Sequence, residues 1–238
     1  MARIIYKNKD GKRVSSVTTI LSVLDKPALK YWANKLGLEG INVKDYVDDK
    51  ATIGTTAHYI IECFLTDKTP DFSTIENVTD EQIETARKCA SKFFDWLYQQ
   101  KNFIPIANEL YLVSEKYQYG GTTDCIAILN DKLTLIDFKT CNAIYDEPYK
   151  QVSAYAQNTN ENFEVIEPIL RAKGFNQTKI EQLAILRIGR DETEGFEYIE
   201  IPEELQEISF KNFLDVLKVY NSNKEFTKIK KQVYANES

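Results

Sequence analysis

Three β-rich stretches, Phe103 to Ser114, Tyr119 to Leu129 and Leu133 to Phe138, follow one another with only short turn signals between them. β-branched and aromatic residues recur in each, and the pattern predicts a mostly antiparallel meander. Before it the apolar residues recur at helical spacing. Arg3 to Lys7 reads as a short strand turned by Asn8-Lys9-Asp10-Gly11, after which Ser15 or Ser16 caps a helix carrying Val17, Ile20, Leu21 and Leu24. A second helix is predicted from Pro27 to Leu36, with Pro27 in its first turn and Gly37 as its stop. Asp45 to Leu65 reads as one helix or a pair, Thr66 to Asn77 as a loop, and Thr79 with Gln82 as a capping box opening a helix to about Gln100.

Beyond the meander, Glu147 to Gln157 and Phe163 to Ala172 read as helical, and Gln182 to Ile188 and Phe196 to Ile201 as two further strands. Pro202 to Tyr220 is again helical, and Lys224 to Tyr234 reads as an exposed basic helix. The expected fold is α/β (α+β): a mixed, mostly antiparallel central sheet flanked by helices. With no repeat or linker-like segment, residues 1–238 read as one domain, in which a helical N-terminal portion (1–100) precedes a sheet-containing core (101–202) and C-terminal helices (203–238).

A chain of 238 residues with 43% hydrophobic side chains buries a substantial core, which excludes disordered and small disulfide-scaffold classes. The net charge of −6 argues against coating nucleic acid by bulk charge. Residues 1–35 are different, since eight lysines and arginines there face only Asp10 and Asp25, and a positive N-terminal surface is expected. Cys63, Cys89, Cys125 and Cys141 form no CxxC pair and lack the spacing of zinc or iron-sulfur ligands, so reduced, mostly buried thiols are expected. The start of the chain is too short and polar for a signal peptide, and no run reaches the roughly 18 apolar residues of a membrane span. A soluble cytosolic protein is the natural reading.

The strongest chemical signal is Leu133-Thr-Leu-Ile-Asp137-Phe138-Lys139-Thr140. Residues two apart in a strand face one way, so Asp137 and Lys139 present a carboxylate and an amine together. Phosphodiester cleavage assisted by Mg²⁺ or Mn²⁺ uses such a pair, the carboxylate for the ion and the cation to position water and offset charge on the phosphate. Alone, an Asp-X-Lys is more commonly a surface ion pair. Here Tyr119-Gly120-Gly121-Thr122-Thr123-Asp124 enters the preceding strand, so an antiparallel hairpin returns Asp124 alongside Asp137. The two glycines permit a bulge or close backbone approach. His58, the only histidine, follows a small Gly54-Thr55-Thr56-Ala57 segment that is read as a turn allowing close approach, with Glu62 one helical turn later. Gln151 and Tyr155 share a helical face at i and i+4.

The ordered set Gly54-X-X-X-His58, Gly121-X-X-Asp124, Asp137-Phe138-Lys139-Thr140 and Gln151-X-X-X-Tyr155 resembles the RecB-like exonuclease branch of the PD-(D/E)XK nuclease superfamily. Ser16-Val-Thr-Thr-Ile-Leu21, followed by Trp32 and Gly37, is similar to phage exonucleases and the mitochondrial genome maintenance exonuclease of that branch. The resemblance runs from about residue 15 to 155 and implies a restriction-endonuclease-like core. It implies that His58, Asp124, Asp137 and the Phe138 carbonyl bind one or two Mg²⁺ or Mn²⁺ ions, that Lys139 serves the attacking water, and that Gln151 and Tyr155 support the lysine and DNA. Glu109 matches a glutamate frequent in the family. Iron-sulfur members use three C-terminal cysteines, and none follows Cys141 here, so no cluster is expected.

The expected activity is metal-dependent DNA exonuclease action from free ends, favouring single strands, in a bacterial or phage-infected cell and alongside a recombination or replication partner protein. A structure-selective endonuclease with the same core and a catalytically silent nucleic-acid- or protein-binding module are the alternatives. Arg13, Lys26, Lys30 and Lys35, beside Trp32, are expected to hold the strand by phosphate contacts and stacking.

Overall fold

The computed structural model describes residues 4–191 and 193–235. A six-stranded mixed sheet has helices on both faces, with most of the N-terminal helices preceding it in sequence. Strand β1 (Ser15–Ser16) leads into α1 (Val17–Leu21), α2 (Pro27–Leu38), α3 (Val43–Leu65) and α4 (Asp80–Leu97). Strands β2 (Phe103–Ser114), β3 (Tyr119–Leu129) and β4 (Lys132–Lys139) form the expected antiparallel meander. A crossover through α5 (Asp146–Glu161) and α6 (Glu167–Ala172) then brings β5 (Gln182–Ile188) parallel to β4, and β6 (Phe196–Ile201) closes that edge antiparallel before α7 (Glu203–Ala235).

Both faces of the sheet are covered, so the central strands are apolar on both sides. Along β3, Ile126 and Ile128 pack with Val17, Leu21, Val152 and Phe213 from α1, α5 and α7. Cys125, Ala127 and Leu129 alternate with them and pack with Ile53, Ala57, Ala90 and Phe93 from α3 and α4. Side chains fix the helix starts: Ser16 Oγ accepts from Thr19 N at 3.1 Å, and Thr79 and Gln82 form a reciprocal capping box.

Several boundaries differ from expectation for identifiable reasons. Arg3 lies outside the described residues, and the segment after it contributes only an isolated Lys7–Arg13 bridge around the Gly11 turn. Helix α2 continues through Gly37, and Gly40 at φ +76 stops it, with Ile41 N reaching Leu36 O and Gly40 N reaching Gly37 O in a Schellman closure. Asn42 caps α3, which begins at Val43, two residues before the expected start, and the helix runs unbroken through Gly54. Phe163–Val165 is a 3₁₀ turn, so α6 begins only at Glu167. The two helices expected after Pro202 are one, since no Gly or Pro interrupts residues 203–235. Among the described residues, no helix is long and apolar enough to cross a membrane.

Candidate active site

The β3–β4 ladder pairs Leu129 with Lys132 and proceeds to Cys125 opposite Ile136, where it stops. One step further, Asp124 stands across from Asp137. There β4 leaves β3 but stays paired with β5 through Asp137, Phe138 and Lys139. On the edge that β4 vacates, the two-residue β1 pairs with β3 at Tyr119 and Gly120. The sheet therefore forks at Gly121 to Asp124. A backbone donor released by a fork needs a new partner. Phe138 N donates to Asp124 Oδ2 at 2.7 Å, which fixes the carboxylate in the opening.

Four further groups converge there. His58 reaches in from α3, its Nδ1 3.9 Å from Asp124 Oδ1 and its ring edge-on to Phe138. Glu109 lies on β2 opposite Asp124, between the paired residues Asn108 and Leu110, and its φ of +47 is a strained value for a non-glycine residue inside a strand. Ligand atoms of His58, Glu109 and Asp124 lie within 4.8 Å of one another. Asp137 is not in that trio. It is 1% exposed beside Lys139, whose Nζ lies 2.6 Å from Oδ2, and neither of its oxygens has a well-aligned hydrogen bond.

The electrostatics follow from crowding acids at the fork, where Asp137 is almost wholly buried while Glu109 is exposed. Burial pushes Asp137 up to about 6 against the pull of Lys139, with Asp124 adding to the rise. Burial also raises Asp124, although Lys139 and the Phe138 N–H oppose it. Glu109 is exposed on β2, yet the part of it turned toward the fork is desolvated, and this with Asp124 and Glu62 pushes its carboxyl up. Burial works against the Lys139 ammonium, yet Asp137 and Asp124 leave its pKa raised. His58 is held down to about 4 by burial and by Lys139, so its imidazole is neutral near pH 7 and free to be a ligand. Buried carboxylate oxygens without aligned donors, gathered with a neutral imidazole, are a donor set suited to a divalent cation, whose charge relieves their repulsion.

One pH dependence follows. Protons on Glu109 and Asp137 compete with the cation, and His58 is already neutral above about pH 4, so metal affinity rises with pH through the carboxylate range. Between pH 7 and pH 5 Mn²⁺ affinity is expected to fall at least about tenfold, read by calorimetric titration. Equal affinity at both pH values would contradict the assignment.

Gln151 Nε2 donates to Tyr155 Oη at 2.8 Å, joining the i and i+4 pair on α5. The Tyr155 ring lies across Gly121, where an added Cβ would come 2.5 Å from Cε1, so that glycine serves close approach of a side chain and makes no bulge. Gly54 is likewise no turn. It is a buried position within α3 where a Cβ would stand 2.4 Å from Thr140 Oγ1, so the absent side chain seats α3 against the end of β4 one helical turn before His58. Gly54→Ala is expected to cost about 1–3 kcal/mol of stability by overpacking, whereas Gly54→Ala with Thr140→Ala should recover most of the loss. Thermal unfolding of the three variants checks this, and purely additive losses would contradict it.

Glu62, four residues after His58 on α3, belongs to this acidic neighbourhood through its effect on Glu109, and its i+4 spacing was the available signal. The expected strand-binding residues are dispersed. Lys26 pairs with Glu147, Lys30 lies 3.2 Å from Asp25 and Lys35 3.9 Å from Glu39, while Trp32 packs edge-on to Tyr46. Arg13 lies away from α2 sequence neighbours, in a cleft with Lys224.

No family model and no curated protein matches this chain. Among solved structures it is similar to a "Putative exonuclease" from Eubacterium rectale, with a TM-score of 0.45 and 11% identity, covering 73% of this chain and 68% of that one. It is also similar to LHK-Exo in complex with dAMP, with a TM-score of 0.34 and 11% identity over 80% of this chain and 92% of that one.

Proposed function

We propose that this chain is a metal-dependent deoxyribonuclease of the RecB-like kind, an exonuclease that hydrolyses phosphodiester bonds from free ends and favours single-stranded DNA. The observation that carries the reading is the fork between β3 and β4, where Asp124, Asp137, Lys139, Glu109 and His58 meet. His58, Glu109, Asp124, Asp137 and the Phe138 carbonyl would hold one or two Mg²⁺ or Mn²⁺ ions, which when bound supply Lewis-acid stabilisation of the phosphate and activation of water.

The chain's own groups do the rest. Lys139, flanked by Asp137 and Asp124, keeps its proton and offers a donor and a positive charge to the phosphate rather than a base. Asp124, fixed by Phe138 N, keeps one orientation. Tyr155, held by Gln151 and laid over Gly121, would wall the site on the α5 side.

End-labelled single and double strands and closed circular single strands, incubated in Mg²⁺, Mn²⁺ or EDTA, test the reading. Linear strands should shorten from their ends in either metal, single strands faster, while EDTA stops the reaction and circles persist. Cut circles would instead indicate an endonuclease. Binding without any cleavage would indicate a silent module.

A further inference from the structure

A second feature lies beside the fork. A cleft of about 710 Å³ opens between the β1–α1 segment and α7, lined by Arg13, Lys224, Ser15, Ser16, Thr19 and Tyr220 among others. Two cations and no carboxylate contribute to its lining. Its walls are tied together, since Ser15 Oγ and Tyr220 Oη are 2.8 Å apart and Ser16 Oγ bonds the hydroxyls of Thr18 and Thr19. Among the described residues, no carboxylate pairs with Arg13 or Lys224, and Lys224 rests over the Tyr220 ring at 5.4 Å. Lys26, just before α2, and Lys30 and Lys35 within it are the contrast, each with an acidic partner.

The positive charge continues outward from the cleft. Lys224, Lys228 and Lys231 recur at i, i+4 and i+7 on the exposed end of α7, which puts them on one helical face over about 10 Å. Inward, the cleft meets the fork through Tyr6, which lines it and whose Oη lies 2.9 Å from Thr122 Oγ1, two residues before Asp124. A line of cations, none of which pairs with a carboxylate among the described residues, leading toward the proposed cleavage site matches the spaced charges of a nucleic-acid backbone.

We propose that the phosphates of the DNA strand are bound in this cleft by Arg13 and Lys224 and along α7 by Lys228 and Lys231, and that α2 is not the main strand-binding surface. The inference rests on the nuclease reading above. The test is fluorescence anisotropy of a labelled single strand in Ca²⁺ across a salt series. Arg13→Gln with Lys224→Gln should weaken binding and flatten the slope of log affinity on log salt by up to about 1.4, at roughly 0.7 per lost phosphate contact. Lys228→Gln with Lys231→Gln, on the exposed helix end where folding is not at risk, should flatten it as well. Lys26→Gln, Lys30→Gln and Lys35→Gln together should leave the slope near that of the unmodified chain. Strands with hydroxyl and with phosphate ends separate the two sources of phosphate: equal flattening marks internal phosphates, and flattening confined to phosphate-ended strands marks a terminal one. Unchanged slopes in both cleft and α7 variants, with DNA still bound by the unmodified chain, would overturn this inference alone. Failure of the unmodified chain to bind any DNA would overturn the nuclease reading with it.

Discussion

Asp137→Ala is expected to lower the rate of metal-dependent cleavage by at least about 10³-fold and to weaken Mn²⁺ binding in the same protein. The carboxylate is almost wholly buried, lacks an aligned hydrogen bond, and stands across the fork from Asp124. Lys139 compensates that charge in the metal-free fold, and a divalent cation at the fork would add to the compensation. Metal stabilisation of a transferring phosphate supplies several kcal/mol, and about 4 kcal/mol corresponds to the loss expected. Single-turnover cleavage and calorimetric Mn²⁺ titration read the two effects separately. A variant that cuts at the unmodified rate, or one that binds Mn²⁺ with unmodified affinity, would remove Asp137 from the metal site.

Lys139→Ala should show a different pattern: a rate loss of about 10²–10³-fold with Mn²⁺ affinity retained. The ammonium sits 2.6 Å from Asp137 and is not a ligand, so deleting it takes away charge stabilisation and water positioning while sparing the donors. The contrast between the two variants is the informative quantity. If Lys139→Ala also abolishes Mn²⁺ binding, the lysine is a structural counter-ion that holds Asp137 in place, and its proposed part in the chemistry fails.

Much of this arrangement was legible in the residues because two periodicities are simple. Period-two alternation puts Asp137 and Lys139 on one side, and the short connection between strands brings Asp124 to the position just beyond the last paired residues, Cys125 and Ile136. The capping box at Thr79 and Gln82 was readable because its spacing is its mechanism. What was hidden depends on tertiary context. A two-residue strand such as β1 has no period to detect, so the fork it helps to make was invisible. Gly54 looks like a turn in isolation, and only the approach of Thr140 explains a glycine within a helix. The left-handed backbone of Glu109, which sets that carboxylate beside Asp124, has no local sequence signal.

Charge was the least legible property. Counting lysines and arginines in the first 35 residues gives an expected positive N-terminal surface, but the count leaves out pairing: Lys30 and Lys35 meet the nearby Asp25 and Glu39, and Lys26 meets Glu147 from α5. The same count could not see that Arg13 would face Lys224 across a gap of more than two hundred residues. The single long helix α7 makes that meeting possible, because it carries its first half against α5 and extends its lysines beyond the body of the sheet.

We propose that the fork between β3 and β4 is a divalent-metal site built for phosphodiester cleavage. Crystals of the protein soaked in Mn²⁺ and measured at the manganese absorption edge test it most directly. An anomalous peak enclosed by His58, Glu109, Asp124 and Asp137 is expected, and its loss in Asp124→Ala. A preparation that cleaves DNA in Mn²⁺ yet binds the ion elsewhere, leaving these four side chains without a peak, would contradict it.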